Sequence, residues 1–369
     1  MSKAKVYYTN LRTVGDRSLP EKLVHLADKA GLGRYALSNQ FIAIKIHFGE
    51  LGNMAYLRPN YAREMVSYLK EKGGKPFLTD CSTLYAGSRK DALEHLETAY
   101  INGYSPFSAG CHILIADGLK GDDEVLAPVP GGEFFTHAKI GRAIMDADVI
   151  LTLNHFKCHE LTGIGGAIKN LGMGCGSKKG KAEMHAEGKP MVIGDKCIGC
   201  GVCLAHCAHG AITLDGDGIA AINHDLCVGC AHCVTACNQK AVESPDDEHN
   251  QVPSKKIAEY AKAVLNGRPA FHINLATDIS PFCDCYANND MPIVPDVGMF
   301  ASQDPVALDT ACADLCNKQP EQPGSRLSES EHRFDDHFCN THPGTDWRIS
   351  LKHAQKLGMG SMEYDLIEV

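Results

Sequence analysis

The sequence predicts an α/β fold: a layered, mostly parallel sheet domain interrupted by a small α+β unit. Three observations carry this. Short apolar runs alternate with helix-period segments through residues 1–188, and the alternation resumes after residue 246. Such alternation gives strands buried under helices. Between the two stretches, cysteines recur at fixed spacing.

Taken in order, Phe41–His47 reads as a strand and Pro59–Lys72 as an amphipathic helix ended by Gly73 and Gly74. Lys75–Thr79, His112–Ala116 and Asp148–Leu153 are further strands, the last two bounded by turn signals as buried parallel strands are. Polar, proline-containing residues from Asp246 to Ser254 read as a return linker. A helix near Lys255–Leu265 and the strand Ala270–Leu275 follow. Asp304 is a natural N-cap for a helix with Pro305 at its first position. A final helix spans about Trp347 to Lys356 and ends at Gly358. Residues 1–188 and 247–369 then form one α/β domain split by residues 189–246; two independent flanking domains are the alternative.

Composition excludes several classes. With 44% hydrophobic and 22% charged residues the chain is neither disordered nor fibrous. A net charge of −9 argues against a nucleic-acid partner, which requires a basic face. No run approaches the roughly 18 apolar residues of a membrane span, and the first residues lack the apolar core of a secretory signal. A cytoplasmic location is the expectation.

Seventeen cysteines is an odd number, and without an export signal it points to metal binding or catalysis rather than disulfides. Eight of them form two runs of C-x-x-C-x-x-C-x-x-x-C: Cys197, Cys200, Cys203, Cys207, then Cys227, Cys230, Cys233, Cys237. This is the bacterial ferredoxin spacing, in which three thiolates hold one 4Fe–4S cube and the fourth ligates its sister. One cluster then takes Cys197, Cys200, Cys203 and Cys237; the other takes Cys227, Cys230, Cys233 and Cys207. The repeat extends to Asp195/Asp225, Gly199/Gly229 and Ala211/Ala241. Gly199 and Gly229 are expected to let backbone approach the cubes. Ala208 and Asn238 stand where proline usually follows the fourth cysteine. Zinc, which favours two separated ligand pairs, fits these interleaved runs poorly. The inserted unit is therefore expected to be a ferredoxin-like domain with two 4Fe–4S clusters.

A second constellation closes the strand Asp148–Leu153. If Asn154–Glu160 is helical, His155 and His159 share a face and could bind one metal. The glycine-rich loop from Gly163 to Gly180 carries Lys169, Lys178, Lys179 and Lys181, which could surround an anionic ligand. It matches neither the Walker pattern nor G-x-G-x-x-G, and a tight solvated loop is the plain alternative. Cys283-Asp284-Cys285 could ligate a metal with His47 or His155, or be ordinary half-buried cysteines. Cys81, Cys111, Cys312, Cys316 and Cys339 are assigned to packing.

The stretches Lys45–Glu50, Tyr56–Pro59, His155–Cys175, Ile279–Cys285, Asp304–Asp309 and His342–Trp347 together resemble the iron–sulfur centre family termed domain of unknown function 362, in its ferredoxin-containing branch. The resemblance implies a single split domain; Cys158 stands where that family has glycine. His159–Gly163, Gly165, Gly166 and Lys169 also resemble the segment of lactate-racemase-type enzymes in which a histidine and a lysine hold a nickel pincer nucleotide. Three functions follow as expectations. The first is electron transfer through the two clusters to or from a redox protein partner or small-molecule ligand. The second is a redox enzyme with candidates His155, His159 and Lys169. The third is a non-catalytic carrier with structural clusters.

Overall fold

The computed structural model describes residues 3–369 except 14, 16, 86, 187–188, 230–231 and 244–246. An eight-stranded sheet forms its centre: β1 (Ala4–Thr9), β2 (Phe41–Lys45), β3 (Lys75–Asp80), β4 (Ile113–Ile115), β5 (Val149–His155), β6 (Ala270–Ala276), β7 (Gly298–Ser302) and β8 (Tyr364–Glu368). The strand order is β8-β1-β7-β6-β5-β2-β3-β4. Neighbours run parallel except at β7, which is antiparallel to both β1 and β6. Strands from both sides of residues 189–246 thus enter one sheet.

Both faces are covered, as a parallel sheet requires. Along β5, Val149, Leu151 and Leu153 pack on one side with α1 (Leu19–Lys29) and α2 (Pro59–Glu71), and Ile150 on the other. The second face carries α3 (Ala167–Cys175), α4 (Asp247–Leu265), α5 (Pro305–Cys316) and α6 (Arg348–Lys356). The result is a three-layer α/β arrangement with a large, mostly parallel sheet.

The structure corrects two sequence expectations and adds an edge pair of strands. The supposed linker after residue 246 is the start of α4, with Pro253 inside the helix; burial of Ile257, Tyr260 and Val264 outweighs the local breaker. The glycine-rich stretch is no open loop, because α3 and the helix Lys178–His185 occupy most of it. The helix ending near Gly358 is followed by edge strand β8, which pairs with the equally unforeseen β1.

Residues 189–243 contain two small hairpin-like pairings, Met191–Val192 with Val242–Glu243 and Ile212–Leu214 with Ala220–Ile222, and two short helices, Val202–Ala205 and His232–Ala236. Their core is a satellite cluster of Cys203, Ile212, Ala220, Cys233 and Val242, separate from the sheet core.

Candidate functional site

The chain diverges between β2 and β5: β3 and β4 continue outward from β2, while β6 and β7 lie on the other side of β5. Open α/β sheets bind ligands outside the carboxyl ends of strands at such a switch point. A cavity opens there. Its walls come from the ends of β2, β3 and β5 and from the loop after β6.

Lys45, at the end of β2, sets its Nζ 2.9 Å from Asp80 Oδ1 and 2.6 Å from Asn170 Oδ1. Burial by itself would raise the Asp80 carboxyl, but Lys45 with His95, His47 and Arg89 holds it below the usual carboxylate range. Arg89 pairs with Glu50 at 3.2 Å and lies 3.8 Å from Asp80. A ladder of amides continues from this pair through the sheet: Asn170 donates to Asn154 at 2.7 Å, Asn154 to Asn274 at 2.8 Å, and Asn274 to Asp309 at 2.8 Å. Asp309 also accepts from the first amides of α3, Ala167 N and Ile168 N. The carboxylate of Asp309 therefore takes the helix N-terminus that the glycine-rich motif offers to an anion.

His155, Lys157 and His159 all line the cavity, but not as a helix face. His155 ends β5, and Lys157–His159 is a short strand paired with Gly163–Gly165. In extended chain, residues at i, i+2 and i+4 share a side, so Phe156 and Cys158 turn into the core. His155 Nδ1 lies 2.8 Å from Asp284 Oδ1 and its Nε2 2.9 Å from Thr277 O, so both nitrogens face acceptors. Lys157 Nζ is 3.5 Å from Asp284 Oδ2. His159 Nδ1 accepts from Leu161 N and Thr162 N, which leaves Nε2 carrying the ring proton. Burial, then the charge of Lys169, lowers its pKa to about 4. Next to it, burial and the neighbouring Cys283 push Glu160 up to about 8.

Lys169 reaches across to Cys283, with Nζ 3.3 Å from Sγ. The Cys285 thiol beside it lowers the Cys283 thiol, and Cys283 in turn raises that of Cys285. Cys283 is fully buried, whereas Cys285 borders the cavity. His47, proposed as their co-ligand, has Nδ1 occupied by Gly49 N at 3.0 Å. Among the described residues, no group of three or more His, Cys, Asp or Glu side chains is arranged to hold a single metal ion. Of the lysines in the glycine-rich stretch, Lys169 and Lys181 line the cavity; Lys179 is exposed. Cys81, Cys111, Cys312 and Cys316 are buried in packing as expected, and Cys339 is half-buried.

In residues 189–243 two smaller cavities are lined by cysteines. The first has Cys197, Cys200, Cys203 and Cys237. The second has Cys207, Cys227 and Cys233; Cys230 lies outside the described residues. Ala220 N, Ala211 N, Gly229 N and Ala241 N donate to the sulfurs of Cys197, Cys207, Cys227 and Cys237 at 3.2–3.4 Å. Gly199 has φ +65°, and a Cβ there would stand 2.4 Å from Gly218 O, so the turn itself demands glycine.

This segment touches the large cavity through His232, a lining residue that precedes Cys233. The His232 ring stacks between Tyr85, at 4.4 Å, and Tyr286, at 4.6 Å, with planes within about 20°. His209 Nε2 lies 2.7 Å from Leu84 O, a second tie to the loop after β3. Sequence reasoning missed Asp80, Tyr85, Arg89, Glu160, His232 and Tyr286. For His232 a signal existed: it takes the place that Val202 holds in the first copy of the repeat.

Among known proteins, a thylakoid-associated protein of Synechocystis sp. is 27% identical over 160 residues, 42% of this chain and 46% of that protein. The chain thus spans under half the length of the curated relative it matches. Among solved structures, the lactate racemase apoprotein from Thermoanaerobacterium thermosaccharolyticum aligns with 99% of this chain and 83% of its own, at 11% identity and a TM-score of 0.37. A crystal structure of a Thermotoga maritima protein aligns with 70% of this chain and 49% of its own, at 15% identity and a TM-score of 0.33. The family model described as Domain of unknown function (DUF362) matches residues 42–314, from β2 to within α5. With well over half of its length in that match, the chain belongs to the DUF362 family.

Proposed function

We propose that this chain is an iron–sulfur electron-transfer protein: residues 189–246 hold two 4Fe–4S clusters in a ferredoxin-like domain, linking a redox protein partner to a ligand in the large cavity. The observation that carries this reading is the crossed cysteine lining of the two small cavities. In a duplicated C-x-x-C-x-x-C-x-x-x-C run, each cube takes its fourth thiolate from the other copy. Cys237 accordingly joins the first set and Cys207 the second.

The residues fit the group. The donors are all cysteine sulfurs. Backbone amides point at four of the sulfurs, where they stabilise thiolate charge and tune potential. When bound, each cluster supplies one-electron chemistry. Cys200 is exposed and gives a protein partner access to the first set, while the second set abuts His232 and the cavity.

Anaerobically purified protein is expected to carry about eight irons per chain and the broad absorbance near 400 nm typical of such cubes. Zinc in place of iron overturns the reading. So does a Cys237→Ser variant with unaltered iron content.

A second reading, a redox enzyme acting on an anionic ligand, is favoured by one observation: Arg89, Lys157, Lys169 and Lys181 all line the cavity. Under it, Lys169→Ala keeps the cluster spectra and weakens uptake of small carboxylates or phosphate, measured by calorimetry; unchanged uptake removes Lys169 from the site.

A further inference from the structure

We propose that Cys283 and Cys285 form a redox pair that cycles between dithiol and disulfide at the cavity wall, collecting two single-electron deliveries into one two-electron thiol chemistry. The inference rests on the cluster reading for its electron source, but its own basis is local.

The two cysteines sit in a turn closed by Tyr286 N donating to Cys283 O at 3.0 Å. A turn shortens the separation of residues i and i+2 below the ~7 Å of extended chain, into the range a disulfide bridges. Each thiol also shifts the other, Cys283 downward and Cys285 upward, as neighbouring thiols in such a turn do. Asp284, between them, points the other way into His155 and Lys157, and its carbonyl accepts from Glu50 N at 2.9 Å. That anchoring fixes the turn that carries both thiols. Lys169 Nζ, 3.3 Å from Cys283 Sγ, supplies a counter-charge for a thiolate there. Cys285 meets the cavity, so the pair is reachable by a ligand while Cys283 is not.

A route from the cysteine-rich segment runs through His232 and Tyr286. His232 is bonded in sequence to Cys233 and stacks on Tyr286, which is bonded in sequence to Cys285. Reduction balances simply. The S–S bond takes two electrons, one from each cluster in turn, and breaks; Cys285 sulfur gains a proton from the cavity, and Cys283 sulfur remains a thiolate against the Lys169 ammonium. Each cluster returns to its oxidised state and is refilled by an external one-electron donor. Oxidation by a two-electron acceptor in the cavity reverses the change at sulfur.

The test is alkylation of the iron-loaded protein, poised with mediators from oxidising potential to excess dithionite, then quenched with N-ethylmaleimide in guanidinium chloride, so that the buried Cys283 is also exposed to the reagent, and digested. The peptide carrying both cysteines is expected to lose the mass of two hydrogens and resist the reagent when oxidised, and to take up two labels when reduced. Cys285→Ser is expected to leave Cys283 alkylatable at every potential. His232→Ala, with unchanged cluster spectra, is expected to slow the reappearance of label after dithionite, and His232→Phe, which keeps the stack, to restore it. Two labels at every potential, in protein whose clusters cycle normally, overturns the pair. Iron-free protein whose 283–285 peptide still cycles in a glutathione buffer supports the pair and removes only the proposed electron source.

Discussion

At the scale of single residues, Asp284 shows how the site is held. Its fully buried carboxylate lies between His155 and Lys157, and its carbonyl ties the loop after β6 to Glu50. Burial would raise its pKa, but His155 and then Lys157 pull it below the ordinary range. A depressed carboxyl contributes stability that is present above the unfolded value, near 4, and is lost as pH falls through the folded value. Asp284→Asn is therefore expected to cost about 3–5 kcal/mol near neutral pH, because it strands a buried lysine. In urea titrations the gap to the parent protein should narrow steadily as pH falls from about 4, where the unfolded carboxyl takes up its proton, toward the depressed folded value, below which the parent carboxyl is neutral too. A gap that does not change with pH would show that the charge is not what Asp284 contributes. Lys169, His159 and Cys283 were legible in the sequence as chemistry-bearing residues near a strand end. Asp80 and Arg89 were not, since their role comes from contact with Lys45 and Glu50 across strands and no local pattern encodes that contact.

At the scale of elements, spacing alone proved ambiguous. Histidines four apart fit one helix face, but alternation through Lys157 fits an extended chain equally well, and Phe156 and Cys158 on the intervening positions decide for the strand. Cap chemistry was the more dependable guide. Asp304 does cap α5, accepting from Val306 N and Ala307 N, and its second oxygen accepts from Ser361 N. Asp304→Ala should lower stability by about 1–2 kcal/mol in denaturant titration, while Asp304→Asn should retain most of the cap. The α3–α4 contact gives a sharper case. Alanine is a better helix former than glycine by about 1 kcal/mol. Yet a Cβ on Gly172 would stand 2.1 Å from Ile257 O in α4. Gly172→Ala is thus expected to destabilise, by about 1–3 kcal/mol, because backbone must move to admit it. A stabilised variant would mean that the two helices pack less closely than described.

For the whole molecule, the alternation of strands and helices revealed the fold class, and its resumption after residue 246 pointed to one split domain. Strand order was not legible, because sheet neighbours such as β5 and β6 are brought together by sheet and helix packing far apart in sequence. The edge pair β1–β8 was missed for a related reason: β8 is largely solvent-facing and lacks the continuous apolar run of a buried strand. The two cores also differ in what supports them. The sheet is sandwiched between extensive apolar layers, whereas among the described residues of 189–243 the apolar core is a small cluster that includes two cysteines. Units with so little core need a bound group to stay ordered. Stripping iron by chelation under anaerobic conditions should therefore abolish hydrogen-exchange protection at the amides of Ile212–Leu214 and Ala220–Ile222 while β5 and β6 keep theirs. The loop after β3 should loosen with the inserted unit, since Tyr85 and Leu84 are held by His232 and His209. If chelation leaves the small unit fully protected, its thiols are not carrying a structural load and the clusters lose their main physical justification.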